Sequence, residues 1–327
     1  MSSTLAPERI LKEMADIWVE LAHSTTDDPN AGVLRSCSMT LVVLAEENDD
    51  AMSLGETIAA LMPEHPARTI VVWPKKNEEL SAKVTAQCWM PFGQRRQICC
   101  EQVEITAPEG SLADVASVIS PIAAADLPLV VWCRSRPAVD GADCADLLRM
   151  ADKLILDTAG WPNPDASVQR LAALAAGGLA LGDLSWTRLT RWREMLSQVF
   201  ENRNYASRLP EISRVRVAYG GTTRTVLARY MGAWLESVLD TVSVRVSADL
   251  ESDPKVPAGL LSFVELSAGG FRVELARQGE LLVTAVDGLS QCNSLPVATD
   301  YSLMREELGI VRRDEIYERA LARCARA

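Results

Sequence analysis

The sequence is short of the residues that most site chemistry uses. It has two histidines, His23 and His65, in 327 residues, so a metal site built on several imidazoles is nearly excluded and any histidine base must be one of these two. His23 stands beside Ser24-Thr25-Thr26 in a polar stretch, and His65 precedes Pro66, a turn context with no acid at a telling spacing. None of the eight cysteines forms a Cys-x-x-Cys pair, and Cys99 and Cys100 are adjacent, so on a strand they face opposite sides and cannot hold one metal together. No apolar run reaches transmembrane length, and Met1–Glu20 mixes charges into a helical pattern of Ile10, Leu11, Met14, Ile17, Trp18 and Leu21 instead of carrying a signal-peptide core. A cytoplasmic location with reduced, free thiols is therefore the expectation. Positive charge is also scarce: the net charge is −11, whereas binders of phosphate backbones concentrate cations, so neither nucleic acid nor a membrane is expected as a partner. Internal repeats, low-complexity segments, the lysine of a P-loop and the three-glycine dinucleotide fingerprint are all missing.

What is present reads first as alternating strands and helices. Cys37–Ala45, Thr69–Trp73, Leu129–Cys133 and Leu154–Asp157 are nearly continuous runs of Val, Leu and Ile, interleaved with helical patterns at Ala51–Met62, Leu112–Ala124 and Ala142–Met150. Unbroken apolar strands are those buried on both faces, so the pattern predicts an α/β fold with a doubly wound, mostly parallel sheet. Lys83–Trp89 and Gln97–Ile105 flank Met90-Pro91-Phe92-Gly93-Gln94 and read as an inserted hairpin. The polar, aperiodic residues 201–210 suggest a joint between a domain of residues 1–205 and one of 206–327. Beyond it a strand at Ile212–Tyr219 and a helix at Thr222–Leu239 precede alternating strands at Val242–Ala248, Leu260–Leu266, Gly270–Ala276 and Leu281–Val286. That order predicts a smaller α+β domain with an antiparallel sheet, closed by helices at Tyr301–Leu308 and Asp314–Ala325.

The densest stretch is Leu184–Phe200. Trp186, Leu189, Trp192, Leu196 and Val199 recur at helical spacing, which predicts one helix with an apolar stripe and with Arg188, Arg191 and Arg193 around it. Trp and Arg dominate interface hot spots, so Trp186, Arg188, Arg191, Trp192 and Arg193 are candidate partner-binding residues; a plain core role for the tryptophans is the competing reading.

The same residues carry a resemblance. Asp183-Leu184-Ser185-Trp186-Thr187-Arg188-Leu189-Thr190-Arg191-Trp192-Arg193-Glu194 resembles the Asp-Leu-Asn-Trp-x-Arg-Leu-x-Pro-Trp-Arg-Glu signature of the glucose-6-phosphate dehydrogenase assembly and effector proteins, the OpcA family. His65-Pro66-Ala67-Arg68, Cys99 to Val103, Asp126 to Trp132, Asp152 to Asp157 and Tyr317 to Leu321 follow that family's pattern in the same order. The likeness covers about residues 33–240, with Ser185 in place of the usual Asn, Arg191 in place of Pro and Cys133 in place of a Trp. It implies a non-catalytic protein that binds glucose-6-phosphate dehydrogenase of the oxidative pentose phosphate pathway and activates it allosterically or helps assemble it. On this view the enzyme holds the NADP and this chain needs no cofactor.

Two further readings come from the residues. Tyr219-Gly220-Gly221-Thr222-Thr223-Arg224 lies between a strand and a helix, so Gly220, Gly221, Thr222, Thr223 and Arg224, together with Arg68, are candidate anion-binding residues. The rival function built on them is an enzyme or binder acting on a sugar phosphate or nucleotide at the switch point of the α/β sheet. A hairpin turning about Phe92-Gly93-Gln94 sets Cys88 opposite Ile98 or Cys99, making Cys88, Cys99 and Cys100 candidate redox residues, although free thiols are expected. The scattered acids Asp126, Asp143, Asp146, Asp152 and Asp157 read as caps and solvated ends.

Overall fold

The computed structural model describes residues 5–23, 32–76, 78–93, 95–108, 111–136, 139, 141, 144–310 and 312–326. The chain forms two compact units, one of Met1–Leu156 with Met304–Gly309 and one of Asp157–Leu303 with Ile310–Ala327.

The first unit holds α1 (Pro7–His23), β1 (Val33–Arg35), β2 (Met39–Leu44), α2 (Ala51–Leu61), β3 (Ala67–Lys75), β4 (Ser81–Trp89), β5 (Gln97–Pro108), α3 (Leu112–Ile122), β6 (Leu129–Cys133), α4 (Ala145–Met150) and β7 (Lys153–Leu156). Residues 142 and 143 of the expected Ala142–Met150 helix lie outside the described residues. The strands run β1-β5-β3-β2-β6-β7 with every pairing parallel, and β4 lies antiparallel on β5. Every residue of β2, β6 and β7 is buried, which is why their sequences do not alternate. β5 is more than half of an inserted hairpin. It is a member of the parallel sheet, pairing Thr69 with Gln102 on β3 and Val33 with Gln97 on β1, and β4 alone is the addition.

The returning segment 304–309 is tied in by charge. The Lys153 ammonium donates to the Glu307 carbonyl at 2.9 Å and lies 2.6 Å from its carboxylate, with both side chains almost fully buried. His65 donates from Nε2 to the carbonyl of Arg305 at 2.9 Å, so this ring ties loop to helix.

In the second unit a 3-10 turn (Thr158–Gly160) leads to α5 (Pro164–Ala176), β8 (Ala180–Asp183), α6 (Leu184–Thr187), α7 (Thr190–Val199), α8 (Arg203–Ala206), β9 (Arg214–Gly220) and α9 (Val226–Asp240). β10 (Ala248–Asp253), β11 (Leu261–Ala268), β12 (Phe271–Gln278), β13 (Leu281–Val286) and β14 (Leu289–Ser294) follow, then α10 (Asp300–Leu308), whose last turn belongs to the first unit, and α11 (Glu315–Cys324). The sheet runs β10-β9-β11-β12-β13-β14. It is mixed instead of antiparallel, because α9 crosses over between β9 and β10 and such a connection returns the chain in the same direction. The strand expected at Val242–Ala248 starts only at Ala248, since Ser243 turns the chain with φ 64°. β10 itself is polar, and its Asp249 and Glu251 pair with Arg214 and Arg216 of β9.

Compactness divides the chain after Leu156, upstream of the joint that the polar residues 201–210 suggest. The physical reason is the tryptophan stripe: Trp186 packs edge-on against Tyr230 of α9 and meets Tyr317 of α11 at 5.5 Å with the rings tilted by 38°, so residues 157–205 bury apolar surface within the second unit.

Glu307→Ala leaves a buried ammonium without its carboxylate and should cost about 3 kcal/mol or more in urea unfolding; a loss below about 1 kcal/mol would mean that the returning segment does not depend on this pair.

Candidate functional site

The switch point of the first sheet lies between β2 and β6. The chain leaves β2 through α2 to β3 on one side, and β6 begins on the other; doubly wound folds bind ligands outside the strand ends at such a position. A nucleotide site there offers glycine N–H groups to a pyrophosphate, but the β2–α2 loop reads Ala45-Glu46-Glu47-Asn48-Asp49-Asp50. Asp50 occupies the helix N-terminus itself, accepting from the Met52 and Ser53 N–H groups at 3.1 and 3.4 Å. Asp49 forms a bidentate pair with Arg134, which follows β6, both bonds being 2.7 Å. Burial works to raise the Asp49 carboxyl, yet the Arg134 hydrogen bonds and the Glu46 N–H outweigh it and hold it below its ordinary value. The loop thus supplies carboxylates where a phosphate ligand needs donors.

The residues proposed from sequence as anion binders fall in different units. Arg68 is buried, donates to the Ile122 carbonyl at 2.6 Å and faces Glu101 at 3.4 Å, which also accepts from Trp18 Nε1 at 2.7 Å and pairs with Arg35. Its cation is therefore held inside the first unit. Gly220 and Gly221 answer to packing: a Cβ on Gly220 would strike the backbone of Pro257, and Gly221, at φ 88°, would place one 2.9 Å from the Ala258 Cβ. The cap of α9 is Thr225, whose hydroxyl accepts from the Ala228 N–H at 3.2 Å, while Thr222, Thr223 and Arg224 are exposed. Arg224 lines a cleft of about 560 Å³ with Arg229, Arg323, Asp165 and Glu236. Arg229 pairs with Asp165, and Arg323 lies 2.7 Å from Glu236, so two of these three cations already face carboxylates.

The Trp/Arg stretch departs from a single helix. It breaks at Arg188 and Leu189, where the Leu189 N–H bonds three residues back to the Trp186 carbonyl at 3.0 Å and the chain re-enters α7 at Thr190. Trp186, Leu189, Trp192 and Leu196 are buried, as the stripe predicts. Arg188 is buried enough to be committed: its guanidinium makes two 2.7 Å bonds to Asp157. Burial would raise Asp157, but Arg188 overrides it and lowers that carboxyl. The Arg193 guanidinium lies 3.7 Å from the Trp186 ring centroid, a stacked cation–π geometry. Arg191 is the half-exposed member, 3.0 Å from Glu194 on its own helix.

Below this segment lies a network that sequence reasoning missed. Asp183 is fully buried and accepts from the Thr158 N–H at 3.2 Å, the Thr158 hydroxyl at 2.7 Å, the Ser185 N–H at 2.9 Å and the Tyr230 hydroxyl at 2.8 Å. The Tyr230 hydroxyl also meets that of Tyr317 at 3.2 Å, and Trp186 Nε1 donates to Asp314 at 2.9 Å. Burial and the charge of Asp157 push the Asp183 carboxyl up to about 6, although its donors pull the other way. Burial likewise drives the Tyr230 hydroxyl well above its ordinary value, so it stays a donor. From the sequence Asp183 reads as a helix cap, and nothing in its spacing points to Thr158, Tyr230 and Tyr317.

The hairpin corrects the expectation of free thiols. Cys88 stands opposite Cys99 in the β4–β5 register with the two Cα atoms 4.1 Å apart, and the pair forms a disulfide. A two-residue difference in register would have separated them. Cys100 faces the other side as a buried free thiol, and burial pushes it up to about 12, so it is no ready thiolate for exchange.

Comparisons with known proteins bear on the same segments. Residues 58–173 match the family model for the glucose-6-phosphate dehydrogenase subunit N-terminal domain, and residues 179–321 match that for the subunit's C-terminal domain. A protein named putative OxPP cycle protein OpcA from Synechocystis sp. is 26% identical over 201 residues, covering 61% of this chain and 42% of that protein. Its namesake from Nostoc punctiforme is 25% identical over 179 residues, covering 54% and 38%. The chain thus spans about two fifths of the length of these curated relatives. Among solved structures, the 3-ketoreductase KijD10 from Actinomadura kijaniata, complexed with NADP and TDP-benzene, superimposes at a TM-score of 0.48 with 11% identity, covering 88% of this chain and 95% of that one. Biliverdin reductase from Synechocystis sp. gives a TM-score of 0.44 at 10% identity, covering 91% and 98%.

Two expectations follow. Between about pH 4 and pH 6 the unfolded Asp183 ionises while the folded one resists, so its contribution to stability is complete below pH 3.8 and is lost as pH rises through 6, by about 3 kcal/mol. Relative to wild type, Asp183→Asn should gain about that amount between pH 4 and 7 in denaturant unfolding; a pH-independent difference would show that Asp183 is ionised throughout. Arg188→Ala should cost about 2 kcal/mol because Asp157 loses both bonds, whereas Arg191→Ala should stay within about 0.5 kcal/mol; equal melting shifts for the two variants would refute the distinction.

Proposed function

This chain belongs to the OpcA family of glucose-6-phosphate dehydrogenase assembly proteins, and from that premise we propose that it is a non-catalytic subunit that binds the dehydrogenase and activates it allosterically or helps assemble it. The observation that carries the non-catalytic part is the β2–α2 loop. Its Glu46, Glu47, Asp49 and Asp50 occupy the position where a doubly wound fold would hold a nucleotide or sugar phosphate, with Asp50 on the helix N-terminus and Arg134 consumed by Asp49. Electrostatic repulsion there disfavours the rival reading of an enzyme or binder acting on phosphorylated ligands at the switch point.

An effector of this kind works through differential binding. It must prefer the active form of the dehydrogenase, and a coupling of about 1–3 kcal/mol changes substrate affinity some 5–150-fold. The NADP and sugar phosphate are then held by the enzyme, and this chain acts by biasing its conformation or oligomer. Burial of Trp186 and Trp192 and the pairing of Arg188 make the signature segment a rigid support on this reading, with Arg191 its solvent-facing cation.

Added at saturation to the dehydrogenase of its own organism, the chain should lower the apparent KM for glucose 6-phosphate at least about fivefold and show no NADP reduction alone. Unchanged steady-state kinetics would sink the effector reading, and turnover by the purified chain would sink the non-catalytic one.

A further inference from the structure

The tip of the β4–β5 hairpin turns two large apolar side chains to solvent within three residues. Phe92 is one of four phenylalanines in the chain, yet it is fully exposed, and Met90, two residues earlier, is 56% exposed. Phe92 buries nothing in its own fold and Met90 less than half of its surface, so most of their apolar area is available to something else. Single exposed apolar residues are ordinary; here they come with a rigid support and a charge pattern. The support is the ladder from Ser81 opposite Thr106 to Trp89 opposite Ile98, closed one pair below the tip by the Cys88–Cys99 disulfide, and Gly93 turns the chain at φ 74°. A tip held this way loses little conformational freedom when it docks.

The charge pattern names the kind of partner. From Ser81 to Gln97 the charged residues are Lys83, Arg95 and Arg96, with no acid among them, in a chain whose net charge is −11. Arg95 and Arg96, three and four residues after Phe92 in the chain, are exposed as well. Phe, Met and Arg are the types enriched in interface cores, and a local positive patch on an acidic protein steers it towards carboxylates. The 560 Å³ cleft of the second unit sets Arg224, Arg229 and Arg323 against Asp165 and Glu236, so on another copy of this chain it offers a dibasic tip no excess of carboxylates.

We propose that Met90 and Phe92, flanked by Arg95 and Arg96, anchor this chain to the dehydrogenase by entering an apolar recess rimmed with carboxylates. The assignment rests on the functional reading above and adds the surface that docks.

The test measures affinity of the full chain for the dehydrogenase of its own organism by surface plasmon resonance, alongside melting temperature. Met90→Ala with Phe92→Ala should weaken binding about thirtyfold or more without lowering the melting temperature. Arg95→Glu with Arg96→Glu should slow association and flatten its salt dependence, whereas Leu289→Ala, an exposed residue of β14, should bind as wild type does. Wild-type affinity in the Met90/Phe92 variant overturns the assignment while leaving the subunit reading intact. Failure of the wild-type chain to bind overturns both. A wild-type dimer that the Met90/Phe92 variant loses in sedimentation would assign the tip to a second copy and overturn it as well.

Discussion

The second unit depends on a carboxylate removed from water. An ionised group in an apolar interior is costly unless donors replace its hydration, and Asp183 has four: both donors of Thr158, the Ser185 N–H and the Tyr230 hydroxyl. Those donors come from the 3-10 turn, from α6 and from α9, and the Tyr230–Tyr317 contact extends the network to α11. Three sequence-distant pieces are therefore placed by one acceptor, and each donor left without it would be a buried unsatisfied group. The neighbouring Asp157 would add repulsion, and Arg188 compensates it with two hydrogen bonds. Above the network Trp186 is fixed on three sides by Tyr230, Tyr317 and the Arg193 guanidinium.

This arrangement changes what the signature segment means. Trp and Arg in a dense run suggest a surface that grips a partner, but the same residue types build a stiff interior when aromatic rings meet at 5 to 6 Å and guanidinium groups find carboxylates. In this chain Trp186 and Trp192 are buried and Arg188 is paired with Asp157, so much of the segment from Asp183 to Glu194 is engaged within its own unit.

The first unit makes the complementary point that a fold is separable from the chemistry it can host. Its strand order reverses between β2 and β6, and the loop that follows β2 at that switch point is acidic where a phosphate site would be donor-rich. Asp50 satisfies the first N–H groups of α2 from within the chain, so the helix terminus has its anion already.

The sequence by itself determined the architecture of the parallel sheet, because strands buried on both faces must be apolar throughout and crossover helices must be amphipathic, and both patterns are local. It also determined that Trp186, Leu189, Trp192 and Leu196 share one buried stripe. Tertiary structure decided the rest. The antiparallel expectation for the second sheet failed at β10, where pairing through Arg214 and Arg216 stabilises a polar strand that has no apolar signal. The Cys88–Cys99 bridge depended on strand register, and adjacent registers would have chosen another partner. Asp183 stayed hidden because its partners lie from 2 to 47 residues away and hydrogen bonding between distant side chains leaves no periodicity to read. The fate of Arg68 and Arg188 was likewise a matter of which carboxylate the fold brought within reach, since a guanidinium that binds a ligand and one that ties two elements together look the same in a sequence.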